Sequence, residues 1–178
     1  MALLLWQFWA YSFIGYLLEK AFAAVTRSDQ QVRKCFFLMP LCPVYGLGVL
    51  AALALPPGLR EGFWSFALWG GLAATAVEYV VHFLYERLLH VRFWDYSGVW
   101  GSVRGRVCLP FSILWGLLLA AALPPVQALL LPLLAAVPAW TTYGVLLFFA
   151  ADTVISIRLL QQTADPDALA MAPRRTGL

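Results

Sequence analysis

The chain has 178 residues, of which 62% are apolar and only 12% are charged, and its formal net charge is +3. The mean hydropathy is +0.79. This composition excludes a soluble globular protein, because the chain has too little polar surface to cover one. Long apolar runs without strand alternation favour spanning helices over a barrel. The sequence therefore predicts an all-α, polytopic membrane helix bundle.

The apolar runs predict five transmembrane helices, since a helix needs about 20 residues to cross a bilayer core of about 30 Å. The first three predicted spans cover residues 2–25, 38–55 and 62–89. Four prolines at positions 124, 125, 132 and 138 interrupt the next apolar interval. We therefore predict two further spans at 108–123 and 139–160, separated by an irregular or interfacial piece. Residues 1–160 then form a single transmembrane domain, and residues 161–178 form a polar, disordered cytoplasmic tail.

Basic residues are distributed unequally between the two sides that five spans define. Arg60 stands on one side, and ten basic residues stand on the other: Arg27, Arg33, Lys34, Arg87, Arg92, Arg104, Arg106, Arg158, Arg174 and Arg175. The positive-inside rule then places the N-terminus outside and the C-terminus in the cytoplasm. The three cysteines, Cys35, Cys42 and Cys108, fall at the cytoplasmic face, where we expect reduced thiols and no disulfide.

Several charged residues are candidates for one functional site. Counted along their helices, Glu19, Glu78 and Asp152 lie at a similar depth in the inner third of the bilayer. Acids inside a membrane are costly and usually face the bundle interior, so these positions indicate a substrate or ion pathway. The predicted pathway residues are Glu19, Glu78, Glu86, Asp95, Arg104 and Arg106, and secondary candidates are His82, Asp152, Tyr45, Trp94 and Cys108. A purely structural network of ion pairs is the alternative.

The connection between the third and fourth spans begins at Trp94 and is predicted to lie against the cytoplasmic bilayer surface. Before it, Glu78, His82 and Glu86 are spaced four residues apart, on one face of a helix. One helix supplies too few ligands for a metal, so we expect no metal or cofactor and an interhelical hydrogen bond from His82. The chain contains no GxxxxGK[ST] phosphate loop and no recognisable hydrolase triad, which favours a non-enzymatic protein that does not hydrolyse ATP by itself.

Ordered sequence blocks resemble the bacterial family of ABC-transporter type IV, CmpB-like permeases. The blocks are YSFIGYLLE at 11–19, PLCPVYGLG at 40–48, EY at 78–79, YE at 85–86, WDYS at 94–97 and GRVCL from 105 onward to WG at 115–116. The resemblance implies a small multispanning protein of the bacterial cytoplasmic (inner) membrane. It also implies that functional roles fall on Glu19, Glu78, Glu86, Asp95 and Arg106.

The leading functional prediction is a permease-like transport component for a charged or zwitterionic small substrate. Its expected partners are the lipid bilayer and either a separate ATPase subunit or further copies of the chain, and no nucleic acid. One alternative is a membrane-embedded enzyme acting on a lipid headgroup, with Glu78 or Asp95 as base and Arg106 as anion clamp. Another is a non-catalytic membrane scaffold or regulator.

Overall fold

The computed structural model describes residues 2–26 and 35–169, and most of these are helical. The helices are α1 (Ala2–Thr26), α2 (Pro43–Leu53), α3 (Pro57–Arg60), α4 (Phe63–Leu84), α5 (Leu109–Ala135) and α6 (Ala139–Thr163). A π-helical turn, Tyr85–Leu89, continues α4, and a 3-10 helix, Pro166–Leu169, follows α6. A short antiparallel hairpin pairs β1 (Ser102–Val103) with β2 (Val107–Cys108). The prediction of a mostly helical, membrane-type fold is confirmed.

The prediction of five spans is not supported. Within the described residues, length and composition qualify three helices to cross a bilayer, namely Phe63–Leu89, Leu109–Ala135 and Ala139–Thr163. Helix α1 has 25 residues. Gln7, Glu19 and Lys20 interrupt its apolar sequence, and it is not among the three. Helix α2 has only 11 residues, about 16 Å at 1.5 Å per residue, so it is too short to span.

The second predicted span, 38–55, is shorter because its first part is not helical. Pro43 starts α2 at a position where its missing N–H costs nothing, and Pro40 precedes it in an irregular segment, residues 35–42. Asp152 of α6 accepts hydrogen bonds from the backbone N–H groups of Leu38 (3.1 Å) and Met39 (2.9 Å). The Cys42 N–H donates to the carbonyl oxygen of Ser12 in α1, at 2.9 Å. Helices on two sides thus satisfy the irregular backbone.

Helix α5 continues through the region that was predicted to be irregular. It contains Pro124, Pro125 and Pro132 and ends at Ala135 instead of residue 123. A proline removes one helical hydrogen bond and crowds the preceding turn, but an apolar environment offers the backbone no alternative partner outside a helix. The side-chain amide oxygen of Gln127, just after the proline pair, accepts a 2.6 Å hydrogen bond from the Tyr11 hydroxyl. This contact fixes the C-terminal half of α5 against α1.

Small residues bring the helices close together. A Cβ atom on Gly71 of α4 would lie 2.9 Å from the Gly116 Cα of α5 and 3.3 Å from the Ser112 carbonyl oxygen. Glycine is therefore required where these two backbones meet, as is usual for helices that lack a hydrophobic driving force between them. Many large apolar side chains on α4, α5 and α6 are exposed, which suits surfaces that contact lipid.

The cysteines correct a second prediction. Cys35 and Cys42 form a disulfide with their Cα atoms 4.7 Å apart, so they are not the reduced thiols that we expected. The reason is that residues 35–42 fold back on themselves and bring the two Cα atoms within the range that a disulfide needs. Cys108 at the end of β2 is a buried free cysteine.

The predicted tail is partly ordered. Helix α6 extends to Thr163, and Leu169 of the 3-10 helix is buried in the same apolar cluster as Trp9 and Leu160. The apolar side chain of Leu169 explains why this part of the tail packs instead of being disordered. The rest of the tail, 170–178, and the first basic loop with Arg27, Arg33 and Lys34 lie outside the described residues.

We predict that Asp152→Ala destabilises the protein by about 2 to 6 kcal/mol, because it leaves two backbone donors without their acceptor. Asp152→Asn keeps one acceptor oxygen and should give an intermediate loss. The measurement is thermal or denaturant unfolding of the purified protein in detergent. Thr153→Ala is the control on the same helix, since it removes a hydroxyl that donates a hydrogen bond within α6, to the Phe149 carbonyl. Equal stability of the Asp152→Ala and Thr153→Ala proteins would contradict this account.

Thiol counting tests the disulfide. The chain contains three cysteines. Alkylation of the unfolded, unreduced protein should modify one of them, Cys108, and alkylation after reduction should modify three, as read by intact mass. Modification of all three without a reductant would show that residues 35–42 are not cross-linked.

Candidate functional site

The central cavity is an opening of about 240 Å³ lined by residues of α1, α2, α4 and α5, of the segment 35–42, and of the π-helical turn and loop after α4. Most of its wall is apolar. The polar side chains among the described wall residues include two carboxylates, Glu19 and Glu78, and the phenols of Tyr11, Tyr45, Tyr85 and Tyr96. The indole rings of Trp94 and Trp115 complete the aromatic part of the wall. The cavity thus presents hydrogen-bond acceptors inside an aromatic and aliphatic enclosure.

Glu19 is positioned by the contact between α1 and α2. Gly15 lies one helical turn before Glu19 on the same face of α1, and a Cβ atom at Gly15 would overlap the Tyr45 ring. Because Gly15 has no side chain, Tyr45 packs directly on α1 and its hydroxyl donates a 2.6 Å hydrogen bond to Glu19 Oε1. The Tyr45 ring meets Trp115 of α5 edge-on, with 5.1 Å between ring centroids. Three helices therefore fix this side of the cavity.

Glu78 reaches the same cavity from α4 and is buried, with 7% of its surface exposed. The Tyr96 hydroxyl donates a hydrogen bond to Glu78 Oε1 at 3.1 Å. Tyr96 itself is buried in the loop after α4 and stacks on Phe111 of α5, with centroids 5.2 Å apart. Each cavity carboxylate thus accepts a hydrogen bond from a tyrosine whose ring is held by an aromatic neighbour.

A second group of charged residues, which we call the outer charge network, consists of Glu86, Arg92, Asp95 and Arg106. Glu86 Oε2 accepts hydrogen bonds from Arg106 Nη2 (2.9 Å) and Nε (3.2 Å), and Glu86 Oε1 accepts from Arg92. Arg106 Nη1 also donates to the Tyr79 hydroxyl at 2.8 Å. The hydrogen bond to Glu86 raises the pKa of Arg106. This network lies along a separate cleft bordered by Glu86 and Arg106, while Glu19 and Glu78 face the central cavity.

The π-helical turn explains why Glu78 and Glu86 separate. The sequence placed Glu78, His82 and Glu86 on one helix face, but α4 ends at Leu84 and the wider turn Tyr85–Leu89 changes the direction of the residues that follow. Glu86 therefore pairs with Arg92 and Arg106 instead of lining the central cavity beside Glu78. Within the described residues, no group of three or more His, Cys, Asp or Glu side chains has the geometry to hold a metal ion.

The hairpin joins the outer charge network to the cavity. Arg104 and Gly105 have positive φ angles of 55° and 71°, as the tight turns of hairpins require. The turn docks on the segment before it, because the Tyr96 N–H donates to the Gly105 carbonyl (2.8 Å) and the Trp94 Nε1 donates to the Arg106 carbonyl (2.9 Å). The hairpin thereby holds Tyr96 where it reaches Glu78.

The other predicted residues have different positions. Asp152 binds the backbone of residues 38–39, and its Oδ1 also accepts from Ser156 at 3.1 Å. Asp95 Oδ1 accepts hydrogen bonds from the Ser97 hydroxyl and N–H, which hold the pKa of that exposed carboxyl below its usual value. Arg104 is exposed at the turn, and Cys108 is buried where α5 begins.

His82 does not make the interhelical hydrogen bond that we expected. Its side chain is buried and stacks on Trp94, with ring centroids 5.1 Å apart. Neither ring nitrogen has a hydrogen-bond partner among the described residues.

Sequence reasoning did not select Tyr96, Tyr79 or Trp115 as site residues. Tyr96 lies within the WDYS block, directly after the selected residues Trp94 and Asp95. Tyr79 directly follows Glu78. Their signal was the repeated pairing of tyrosine with an acid in the chain. The ring of Trp115 lines the cavity.

The fold and the cavity define a class of protein, a helical membrane protein with an acidic and aromatic cavity between its helices. The family model described as "Putative ABC-transporter type IV" matches residues 6–157, and the chain belongs to this family. The resemblance found in the sequence blocks is confirmed. The family places the protein in a membrane and relates it to ABC-type transport. Neither the curated proteins nor the solved structures contain a match.

We predict that Gly105→Ala destabilises the protein by about 1 to 3 kcal/mol. An added Cβ would lie 2.6 Å from both Asp95 Oδ1 and Ser97 Oγ, and the positive φ angle would be strained for alanine. Gly98→Ala in the same loop is the matched control, because a Cβ there meets nothing within 4 Å. Thermal unfolding in detergent, followed by tryptophan fluorescence, compares the two. If both variants unfold at the same temperature as the native protein, the hairpin does not depend on this close approach.

Proposed function

We propose that this chain is a permease-like membrane subunit of an ABC-type transporter and that the central cavity is part of the path of a small charged solute. The family supports the transport role, and three helices of spanning length support the membrane setting. One observation carries the assignment of the path. Two carboxylates from different helices, Glu19 of α1 and Glu78 of α4, reach one cavity.

The position of these acids favours a functional role over a purely structural one. A carboxylate inside a membrane protein is costly unless it is hydrogen-bonded or paired, and helix packing alone does not require one. In the outer charge network, acids pair with arginines and hold a loop. Glu19 and Glu78 border an open space and accept hydrogen bonds from tyrosine hydroxyls. A solute that enters this space meets both carboxylates.

Energy for transport would come from a separate ATPase subunit, because the chain has no phosphate loop of its own. The protein would lie in the bacterial inner membrane. The arginines at positions 87, 92, 104 and 106 lie between α4 and α5, and Arg158 lies near the end of α6, whereas Arg60 precedes α4. Three alternating spans put the larger group on one side, and the positive-inside rule makes that side cytoplasmic. The hairpin would then face the ATPase.

The N-terminus would lie on the opposite side of the membrane. The Trp6 Nε1 near the start of α1 donates a 3.0 Å hydrogen bond to the Thr142 hydroxyl near the start of α6. Both helix starts therefore share one end of the bundle, the end away from the arginine-rich hairpin. This arrangement is consistent with an external N-terminus and a cytoplasmic C-terminus.

We predict that Glu78→Gln and Glu19→Gln each lower transport-coupled ATP hydrolysis by at least about tenfold, because each removes a charge from the path while preserving side-chain volume. The affinity-tagged chain is purified from its native membrane with its ATPase subunit and reconstituted in liposomes. Glu61→Gln is the control, because Glu61 is an exposed acid at the other end of α4. Detergent melting curves establish that the variants are folded.

Two outcomes would overturn the proposed function. One is the absence of any subunit with a phosphate loop from the purified complex. The other is full activity of a folded Glu78→Gln, Glu19→Gln double variant, which would make both carboxylates structural.

A further inference from the structure

We propose that the outer cleft binds an anionic phospholipid, with the lipid phosphate at its basic border and one acyl chain along the exposed face of α4. The outer cleft is the opening of about 290 Å³ that is bordered by Phe83, Glu86, Arg87, His90 and Arg106. It shares no wall residue with the central cavity, so the inference does not rest on the proposed transport role. The depth of the cleft, its charge, its hydrogen-bond donors and the adjoining apolar surface support it.

The outer cleft lies at the end of a helix that is long enough to reach the lipid headgroups. The continuous helix Phe63–Leu89 has 27 residues. Its length is about 40 Å at 1.5 Å per residue, and a bilayer is about 40 to 45 Å thick when its polar headgroups are included. When this helix spans the membrane, its end at Leu89 therefore lies at the level of the headgroups. His90 follows directly and closes the π-helical turn, because its N–H donates to the Tyr85 carbonyl.

The charges at the border of the outer cleft favour an anion. Glu86 accepts hydrogen bonds from both Arg92 and Arg106, so two arginines share one carboxylate. Asp95 lies 3.9 Å from Arg92 and does not border the cleft. Arg87 is exposed, and it has no ion pair with any residue that the structure describes. The helix end contributes only about half a negative charge, which is less than the full positive charge of Arg87.

The basic groups have N–H donors left for a phosphate. A guanidinium group has five N–H bonds. Arg106 directs Nε and Nη2 to Glu86 and Nη1 to the Tyr79 hydroxyl, which leaves a second N–H on each of Nη1 and Nη2. Arg87 and the ring of His90 add further donors at the same border. Arginines recognise phosphate through parallel N–H donors, and Arg106 is already held in place for this contact.

An exposed apolar strip on α4 indicates a lipid instead of a free phosphate ion. Val80, Phe83 and Leu84 are exposed and share one face of α4, and Leu72 continues this surface toward the start of the helix. The strip from Phe83 back to Leu72 is about 16 Å long, which is half of a bilayer core of about 30 Å. Phe83 borders the cleft and also belongs to the strip. A phosphate in the cleft can therefore carry an acyl chain that lies along α4 within one leaflet.

The alternative is that Arg87 only marks the orientation of the helix, as basic residues at the ends of spanning helices commonly do. Arg158 of α6 is an arginine of this kind, since it is exposed near the end of its helix and does not border the cleft. Arg87 differs from Arg158 because it shares a cleft with His90 and Arg106. Basic pockets of this type at the membrane surface bind phospholipid headgroups.

The test is native mass spectrometry of the purified, delipidated full chain in neutral detergent, which counts the lipids that stay bound. Three lipids with identical dioleoyl chains separate the headgroup from the chains: anionic phosphatidylglycerol, zwitterionic phosphatidylcholine and phosphate-free diacylglycerol. We expect one phosphatidylglycerol to bind at least about fivefold more tightly than phosphatidylcholine and to raise the unfolding temperature. Diacylglycerol should not bind, and millimolar inorganic phosphate should not change the unfolding temperature.

Variants then locate the site. Arg87→Gln should weaken phosphatidylglycerol binding by about fivefold, and a variant that combines it with His90→Ala should weaken binding by about tenfold or more. Arg158→Gln is the matched control, because it removes the same charge outside the cleft, and it should bind as the native protein does. Arg106 is left unchanged, since it also fixes the hairpin. Thermal unfolding in detergent establishes that each variant is folded, and His90→Ala alone tests the cleft if Arg87→Gln is not.

Three outcomes would overturn the proposal. Equal binding of phosphatidylglycerol and phosphatidylcholine would show that the headgroup is not recognised. Stabilisation by inorganic phosphate as large as that by phosphatidylglycerol would assign the cleft to a free anion. Equal phosphatidylglycerol binding by folded Arg87→Gln and Arg158→Gln proteins would leave Arg87 with orientation alone. None of these measurements involves ATP hydrolysis, Glu19 or Glu78, so the proposed function and this inference are tested separately.

Discussion

The hydrogen bonds from Leu38 and Met39 to Asp152 are the contacts on which the bundle depends. Without them, residues 35–42 would place unpaired backbone donors inside an apolar bundle, at a cost of several kcal/mol. When these hydrogen bonds are made, residues 35–42 can lie between α1 and α6 without forming a helix. Helix α2 then begins beside Ser12 of α1 instead of crossing the whole membrane. The short α2 leaves room for the cavity, so one carboxylate on α6 contributes to the position of that cavity.

Close packing and open space occur side by side for a simple reason. Gly15, Gly71 and Gly116 allow helix backbones to approach, and each contact lies where one helix has no side chain. Large rings such as Tyr45 and Trp115 cannot interdigitate as tightly, and they surround the volume that remains. Glu19 stands on α1, which Gly15 brings close to Tyr45 of α2, and Glu78 stands on α4, which Gly71 brings close to Gly116 of α5. Each cavity carboxylate is therefore positioned by its own close helix contact.

The sequence predicted the class of fold and the acids at the cavity better than the number of spans. Composition requires apolar helices, and Glu19 and Glu78 follow from the cost of an acid in a membrane. The path of residues 35–42 does not follow from periodicity, because it depends on a distant partner, Asp152. The effect of a proline on a helix is difficult to predict from the sequence for a related reason. Pro43 starts a helix, yet Pro124 lies inside one, and tertiary surroundings decide between the two.

The predicted pathway combined residues that the structure divides between two places, the central cavity and the outer charge network. Arg106 binds Glu86 and so fixes the hairpin, and the hairpin holds Tyr96 through the Gly105 carbonyl. Tyr96 in turn donates its hydroxyl proton to Glu78 at the cavity wall. The outer charges are therefore linked to the cavity wall through the backbone of the hairpin.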